Sequence, residues 1–65
     1  MIKVGIAYNV INNETLQIED LDNGELYEVK GEKLDIDNIR EELENGMKTS
    51  GLFIEYNDET MEMVV

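Results

Sequence analysis

The sequence predicts a single small α+β domain over residues 1–65, with five antiparallel strands and one helix. Its 65 residues leave room for one domain only. Apolar residues alternate with polar ones in several segments, which is the period of a strand, whereas the helical period occurs once. An apolar content of 42% and the absence of proline favour folding in spite of a net charge of −11.

The first predicted strand covers Met1 to Ile11 and has an apolar residue at every even position. These even residues are expected to face the core: Ile2, Val4, Ile6, Tyr8 and Val10. A polar loop from Asn12 to Glu14 then leads to a second strand, Thr15 to Glu19. With a loop of this length, the predicted pairs are Val10 with Leu16 and Tyr8 with Ile18.

Asn23 and Gly24 predict the next hairpin, since both residue types accept a positive φ angle in a tight turn. The predicted pairs are Leu21 with Leu26, Asp20 with Tyr27, and Ile18 with Val29. This register places Tyr27 and Val29 of the third strand on the core side of the sheet.

The helical pattern begins at Asp35, a good N-cap residue, and ends at Asn45 and Gly46, which are typical of a left-handed C-cap. Leu34 and Ile39 have the spacing of a hydrophobic staple across the first turn. The apolar stripe expected to pack on the sheet is Ile36, Ile39 and Leu43.

A final hairpin is predicted, with alternation over Leu52 to Asn57 and a tip at Asp58 and Glu59. Its predicted pairs are Tyr56 with Met61, Ile54 with Met63, Leu52 with Val65 and, on the opposite side, Phe53 with Val64. The first strand is the most apolar and is therefore placed centrally, which gives the sheet order 3-2-1-5-4 with the helix across one face. The predicted core comprises Ile2, Val4, Ile6, Tyr8, Val10, Leu16, Ile18, Tyr27, Val29, Ile36, Ile39, Leu43, Leu52, Ile54, Met61 and Met63.

The residue inventory argues against catalysis and against bound cofactors or metals. The chain has no histidine and no cysteine, so the commonest general base and the thiolate metal ligands are missing. A calcium loop around Gly24 fails, because Leu21 and Lys30 occupy positions that require oxygen ligands. Carboxylate pairs such as Glu41 with Glu44 are expected by chance among 16 acids. We therefore expect no catalytic residues, no cofactor and no metal site.

Charge and hydropathy narrow the possible partners. The 16 acidic residues against five basic ones should repel nucleic-acid phosphates, so direct nucleic-acid binding is not expected. No apolar run approaches the length of a membrane span and no secretory leader is recognisable, which predicts a cytoplasmic protein without membrane contact. These observations favour a protein that binds other proteins, and a small-molecule carrier or enzyme ranks behind it.

The face of the predicted sheet opposite the helix is the candidate interaction surface. It keeps apolar side chains ringed by carboxylates, a pattern typical of interfaces. The predicted interaction residues are Glu19, Leu21, Leu26, Glu28, Phe53, Glu55, Glu62 and Val64. Glu19 and Glu28 are expected to face each other on this surface. Acids on the outer side of the helix should add to the negative field: Asp37, Glu41, Glu42 and Glu44.

In size and charge alone, the chain resembles the small acidic proteins of phages and mobile elements that inhibit host nucleases, DNA-repair enzymes or immune effectors. The resemblance implies a non-enzymatic inhibitor that occupies a basic or nucleic-acid-binding surface of a larger protein, and it assigns no residue. The alternative is a homo-oligomeric structural or adaptor module that dimerises through the reverse face of the sheet. No motif identifies a family.

Overall fold

The computed structural model describes residues 1–46 and 51–64. The strands are β1 (Ile2–Asn12), β2 (Thr15–Asp20), β3 (Leu26–Lys30), β4 (Phe53–Asn57) and β5 (Glu62–Met63), and the helix α1 (Lys33–Glu44) lies between β3 and β4. The fold is thus α+β with a five-stranded sheet, as the sequence predicts. Within the described ranges, no helix has the length and apolar character needed to cross a bilayer.

The sheet closes on itself as a barrel with the order β1-β2-β3-β5-β4, in which β4 returns to β1. The predicted order 3-2-1-5-4 therefore differs, because β5 lies between β4 and β3 rather than next to β1. The prediction of a wholly antiparallel sheet was also wrong, since β3 and β5 pair in parallel. The pairings of β1 with β2, of β2 with β3 and of β4 with β5 agree with the prediction. Closure removes most of the free edges that an open sheet would expose, and it replaces two open faces by an inside and an outside.

Burial along the first half of β1 is the inverse of the prediction. The small residues Gly5 and Ala7 are buried. The larger residues expected in the core point outward: Ile2, Val4 and Tyr8 are exposed and Ile6 is half-buried. A register shift between Ala7 and Asn9 is a β-bulge, and after it Val10 packs against the core as predicted. The alternation of the strand was predicted correctly, but the side of β1 that faces the core was predicted wrongly.

Gly5 shows why the small residues of β1 lie inside. A Cβ atom at Gly5 would lie 2.8 Å from Ile18 Cδ1 and 3.0 Å from the backbone oxygen of Glu19. There is no room for an inward side chain at this position, because Ile18 of β2 already fills the space. The interior of a small barrel is commonly filled by alternating small and large side chains in this way.

The β1–β2 hairpin agrees with the predicted register at one pair and departs from it at the other. Val10 opposes Leu16 as predicted. Ala7 rather than Tyr8 opposes Ile18, because the β-bulge adds one residue to β1 between the two pairs.

The β2–β3 hairpin is shifted by two residues from the prediction. Ile18 pairs with Tyr27, and Leu16 pairs with Val29. The turn is longer than the two residues expected, since the backbone N–H of Asp20 donates to the oxygen of Glu25 at 2.8 Å. An even shift keeps every side chain on its predicted face, so the assignment of Tyr27 and Val29 to the core side is confirmed.

The last hairpin also has a longer turn than predicted. The observed pairs are Tyr56 with Met63 and Asn57 with Glu62, in place of Tyr56 with Met61 and Ile54 with Met63. The Asn57 side-chain oxygen accepts the backbone N–H groups of Glu59 and Thr60, which organises this wider turn. Val64 donates its N–H to the oxygen of Glu55 at 3.0 Å and so lies opposite Glu55 rather than Phe53. The predicted pair of Leu52 with Val65 lies outside the described residues.

The helix begins earlier than predicted and ends where predicted. Glu32 rather than Asp35 occupies the N-cap position, without a side-chain capping hydrogen bond. Leu34 therefore lies within the first turn, is 71% exposed and forms no hydrophobic staple. Asn45 is the C-cap residue and Gly46 follows it with a φ of 95°, which confirms the left-handed end.

α1 covers one end of the barrel instead of lying across a sheet face. Its predicted apolar stripe is confirmed, since Ile36 and Ile39 are buried and Leu43 packs against the core. Arg40 Nη2 donates to Asn13 Oδ1 at 3.5 Å, which places the helix at the end marked by the β1–β2 turn. The helix thereby closes an opening that a sheet curled into a barrel leaves.

The core fills the inside of the barrel. Its buried apolar members are Ala7, Leu16, Ile18, Val29, Ile36, Ile39, Ile54 and Tyr56, with Val10, Tyr27, Leu43, Leu52, Met61 and Met63 packed against them. Twelve of these were predicted, and Ala7 and Tyr56 were not. Four predicted core residues lie outside it, because β1 turns the side that carries Gly5 and Ala7 inward: Ile2, Val4, Ile6 and Tyr8.

A buried polar pair lies at the end of the barrel opposite the helix. Asp20 and Tyr56 are both buried, and the Tyr56 phenol donates a short hydrogen bond to Asp20 Oδ2. Asp20 Oδ1 also accepts the backbone N–H groups of Asp22 at 2.7 Å and Asn23 at 3.2 Å. The hydrogen bond from Tyr56 lowers the pKa of Asp20 below its ordinary value, while burial raises the pKa of Tyr56. The carboxylate is therefore satisfied in its ionised form.

Candidate functional site

The outside of the barrel carries a group of apolar side chains centred on β1. We name as the outer patch the side chains of Val4, Ile6, Leu21, Leu26, Phe53 and Val64 together with the carboxylates of Glu19 and Glu55. Phe53 is the most exposed of its apolar members, at 63%. Six of the eight predicted interaction residues belong to this patch, so the structure brings most of the predicted set together.

One row of the outer patch crosses four strands. Phe53 of β4 is opposite Ile6 of β1, and Ile6 is opposite Glu19 of β2. Glu19 is in turn opposite Leu26 of β3. Directly opposed residues have Cβ atoms about 4.5–5.5 Å apart, so these four side chains form a continuous row.

A second row runs parallel to the first. Glu55 of β4 is opposite Val4 of β1 and is bonded through its backbone oxygen to Val64. On the other side, the N–H of Leu21 donates to the oxygen of Val4 at 3.4 Å. Val4 and Ile6 are two residues apart on one side of β1, so the rows lie about 6.6 Å apart. The two rows therefore form one surface.

Each row contains one carboxylate among apolar neighbours. Glu19 lies between Ile6 and Leu26, and Glu55 lies between Val64 and Val4. Neither forms an ion pair with any described residue. A carboxylate that becomes covered in such surroundings needs a cationic partner, since burial of an unpaired charge is costly.

The other two predicted interaction residues flank the outer patch. Glu28 lies opposite Gln17 on the outer side of β3, and Glu62 lies opposite Asn57 on β5. Both are exposed and have no ion pair within the described part of the chain. Glu28 and Glu19 do not face each other as predicted, because of the two-residue shift in the β2–β3 hairpin.

The helix contributes fewer available acids than predicted. Glu41, Glu42 and Glu44 are exposed. Asp37 is engaged by Lys33 Nζ at 2.7 Å and by Arg40 Nη1 at 2.9 Å. The hydrogen bond from Lys33, aided by the charge of Arg40, holds the pKa of Asp37 below its ordinary value. Asp37 thus stabilises the helix surface and is less available for a partner.

The sequence prediction missed the centre of the outer patch, because Val4 and Ile6 were assigned to the core. The available signal was the residue size at the intervening positions, Gly5 and Ala7. Small residues suit a tightly curled barrel interior, whereas an open sheet under a helix favours the larger ones inside.

The outer patch offers apolar area and hydrogen-bond acceptors, the groups by which proteins recognise one another.

A cleft of about 310 Å³ also opens beside Asp20 and Tyr56, and its walls include Tyr27 and Met61. The described residues contain no group of three or more side chains placed to hold a metal ion.

Comparison with known proteins returns no match for this chain. No protein-family model matches it, and neither a curated protein nor a solved structure matches it significantly.

Proposed function

We propose that this chain is a small acidic protein-binding module that docks through the outer patch onto a basic surface of a larger protein. The observation that supports this is the gathering of six apolar side chains on the solvent side of the barrel, together with two carboxylates that form no ion pair with any described residue. Apolar residues scattered over a surface need no explanation, whereas a contiguous group is typical of an interface.

The embedded carboxylates favour arginine as the residue on the partner. A guanidinium binds a carboxylate with two hydrogen bonds and also packs its plane on apolar or aromatic side chains. Glu19 beside Ile6 and Leu26 offers both features, and Glu55 beside Val4 does the same. Phe53, exposed next to this group, supplies the large apolar anchor that a stable interface needs.

The net charge favours a partner whose own surface binds nucleic acid. Surfaces that contact phosphate backbones are rich in lysine and arginine, and a chain of charge −11 is attracted to them. Occupation of such a surface would exclude the nucleic acid, so we propose that the module acts as an inhibitor. This attraction should speed association and should weaken as salt is added.

The barrel architecture does not by itself favour nucleic acid as the ligand. Five-stranded barrels include the OB fold, in which the face of the second and third strands binds oligonucleotides. In this chain the outer side of β2 and β3 carries the carboxylates of Glu19 and Glu28 and a single described cation, Lys30. These carboxylates would repel phosphate groups, so the fold analogy carries less weight than the charge.

A symmetric dimer through the same outer patch is the second candidate. Its support is the exposed apolar rows, which two copies could cover. It would bring the carboxylates of Glu19 and Glu55 against a surface of the same sign, and two chains of charge −11 repel each other. A basic partner therefore agrees better with the composition of the patch.

The test compares Phe53→Glu with the matched control Leu34→Glu. Both changes replace an exposed apolar residue and add one negative charge, but Leu34 lies on α1 outside the outer patch. The unmodified chain and each variant are immobilised and exposed to a cell lysate at low and at high salt, and the captured proteins are identified. The affinity of the purified partner for the unmodified chain and for each variant is then measured. We expect Phe53→Glu to weaken binding by about thirtyfold or more, because it removes a hot-spot residue of the interface. Leu34→Glu should weaken binding by less than about threefold.

Three outcomes would count against the proposal. Equal losses for the two variants would show that the outer patch is not the docking surface. Affinity that does not fall with added salt would remove the electrostatic part. A concentration-dependent mass in sedimentation that Phe53→Glu abolishes would support the homodimer instead. Thermal unfolding of both variants is the control for folding.

A further inference from the structure

β3 has a strand neighbour along its whole length on one side only. All five residues from Leu26 to Lys30 pair with β2. On the other side, β5 has two residues and meets β3 at a single pair, Lys30 with Glu62. The segment from Leu26 to Val29 therefore has a free edge among the described residues, and the barrel is closed incompletely there.

Hydrogen bonds just outside β3 fix which of its residues direct their backbone groups toward β2. The N–H of Gly31 donates to the oxygen of Glu14 at 2.9 Å. At the other end, the N–H of Asp20 donates to the oxygen of Glu25 at 2.8 Å. Odd-numbered positions along this stretch thus bond to the β2 side.

The even-numbered positions direct their backbone groups toward the free edge. The N–H of Lys30 donates to the oxygen of Met61 at 2.8 Å, away from β2. Because the direction alternates along an antiparallel strand, the N–H and C=O groups of Leu26 and Glu28 point the same way. No described residue forms a hydrogen bond with these four groups. These four groups are therefore oriented to form hydrogen bonds with an additional strand.

The surroundings of the free edge are mainly acidic. The cleft of about 310 Å³ adjoins it, with Tyr27 and Met61 among its walls. The carboxylates around this cleft are Asp20, Asp22 and Asp58. Two of them have a cationic partner, since Lys3 is 3.4 Å from Asp22 and the N-terminal ammonium of Met1 is 3.1 Å from Asp58. Glu28 adds its own exposed carboxylate on the edge.

We infer that the partner contributes an extended basic segment that pairs as an additional strand with the free edge of β3. This rests on the proposed function and specifies how the partner is bound. Backbone groups of Leu26 and Glu28 supply the hydrogen bonds, as in other proteins that bind peptides by strand addition. The acidic surroundings select basic side chains, and they disfavour a second copy of this chain, whose Glu28 would meet like charge.

The free edge is continuous with the outer patch. Leu26 is the last member of the row that contains Phe53, Ile6 and Glu19. A strand added beside β3 would extend this row by one position. Its outward side chains would lie next to Leu26 and Glu28, so one partner can use both the edge and the patch.

The first test uses the unmodified chain and two synthetic peptides. One peptide alternates arginine with valine and the other alternates glutamate with valine. Amide hydrogen exchange is followed by NMR at Leu26 and Glu28, with Tyr27, which faces β2, as the internal control. We expect the arginine peptide to slow exchange at Leu26 and Glu28 by about tenfold or more, because new hydrogen bonds protect these groups. The glutamate peptide should have no effect.

The second test compares Glu28→Pro with Glu28→Ala. Both variants lose the carboxylate, but only proline also loses the N–H on the free edge. Proline is tolerated at edge positions whose N–H makes no ladder bond, and it keeps the preceding Tyr27 extended. We expect the affinity of the arginine peptide for Glu28→Pro to be lower than that for Glu28→Ala by a factor of about ten or more, because proline removes a backbone hydrogen bond to the peptide.

Equal affinities of the two variants would overturn the inference. So would unprotected amides at Leu26 and Glu28 under saturating arginine peptide, or no binding of that peptide. The exchange measurement decides the matter if Glu28→Pro does not fold. Failure here is distinguishable from failure of the proposed function, because the comparison of Phe53→Glu with Leu34→Glu tests the outer patch independently of the edge.

Discussion

The two ends of the barrel are closed by different chemistry. At one end, α1 covers the opening and buries the aliphatic side chains of Ile36 and Ile39 in the core. At the other end, the phenol of Tyr56 is hydrogen-bonded to the buried carboxylate of Asp20. The helical end depends on apolar area removed from water, whereas the polar end depends on a charge that is completely hydrogen-bonded.

This difference determines how a substitution at each end changes the stability of the fold. Loss of an aliphatic side chain at the helical end leaves a cavity, and the cost grows with the volume lost. Loss of one partner at the polar end leaves the other buried without its hydrogen bond. The polar end also adjoins the cleft and the free edge of β3, so the proposed docking of a partner lies nearer to it.

The largest effect is expected from Ile39→Ala at the helical end. The substitution removes three carbon atoms from a residue that is 6% exposed, and the free energy of unfolding should fall by about 2–5 kcal/mol. Urea denaturation followed by circular dichroism measures the loss. Leu34→Ala on the same helix is the matched control and should cost less than about 0.5 kcal/mol, since Leu34 is exposed. Similar values for both variants would show that α1 does not close the barrel.

A smaller effect is expected from Tyr56→Phe at the polar end. The ring remains and only the hydroxyl group is lost, so Asp20 Oδ2 keeps its place without its donor. The free energy of unfolding should fall by about 1–3 kcal/mol. Tyr27→Phe is the control, because the Tyr27 hydroxyl makes exposed hydrogen bonds with Asn23 and Glu25. Equal losses for the two variants would contradict a special role for the buried pair.

The smallest effect is expected from pH and concerns the same pair. The folded-state pKa of Asp20 is lowered, chiefly by Tyr56, so the ionised carboxylate stabilises the fold above the ordinary aspartate pKa. That contribution is lost as pH falls through the lowered value. The difference in unfolding free energy between the natural chain and Tyr56→Phe should therefore shrink on acidification. A difference that stays constant from neutral to acid pH would contradict this assignment, because the titrations that both proteins share cancel.

The sequence predicted local structure better than it predicted the phase and closure of the sheet. All five strands and the helix were found, because apolar periodicity and turn residues are local properties. The side of β1 that faces inward was wrong, since Gly5 and Ala7 lie inside only once β2 brings Ile18 against them. The β-bulge beyond Ala7 is likewise visible only after β1 and β2 are paired.

The sequence placed six members of the outer patch on the side of the sheet away from the core, but not the two at its centre. Phe53, Leu26 and Glu55 were expected on the exposed side and lie in the outer patch. Val4 and Ile6, which join the two rows, were expected in the core. Their position depends on the phase of β1, so one error in a long-range pairing displaced the middle of the surface.

The sequence by itself determined the element order, the apolar stripe of the helix, the end of the helix at Gly46 and the excess of negative charge. Each of these depends on neighbouring residues or on composition. Only the tertiary structure decided that the sheet closes, that β1 turns its large side chains outward, and that one edge of β3 has few strand partners among the described residues. These features depend on how much volume five curled strands enclose, which no single segment of the chain specifies.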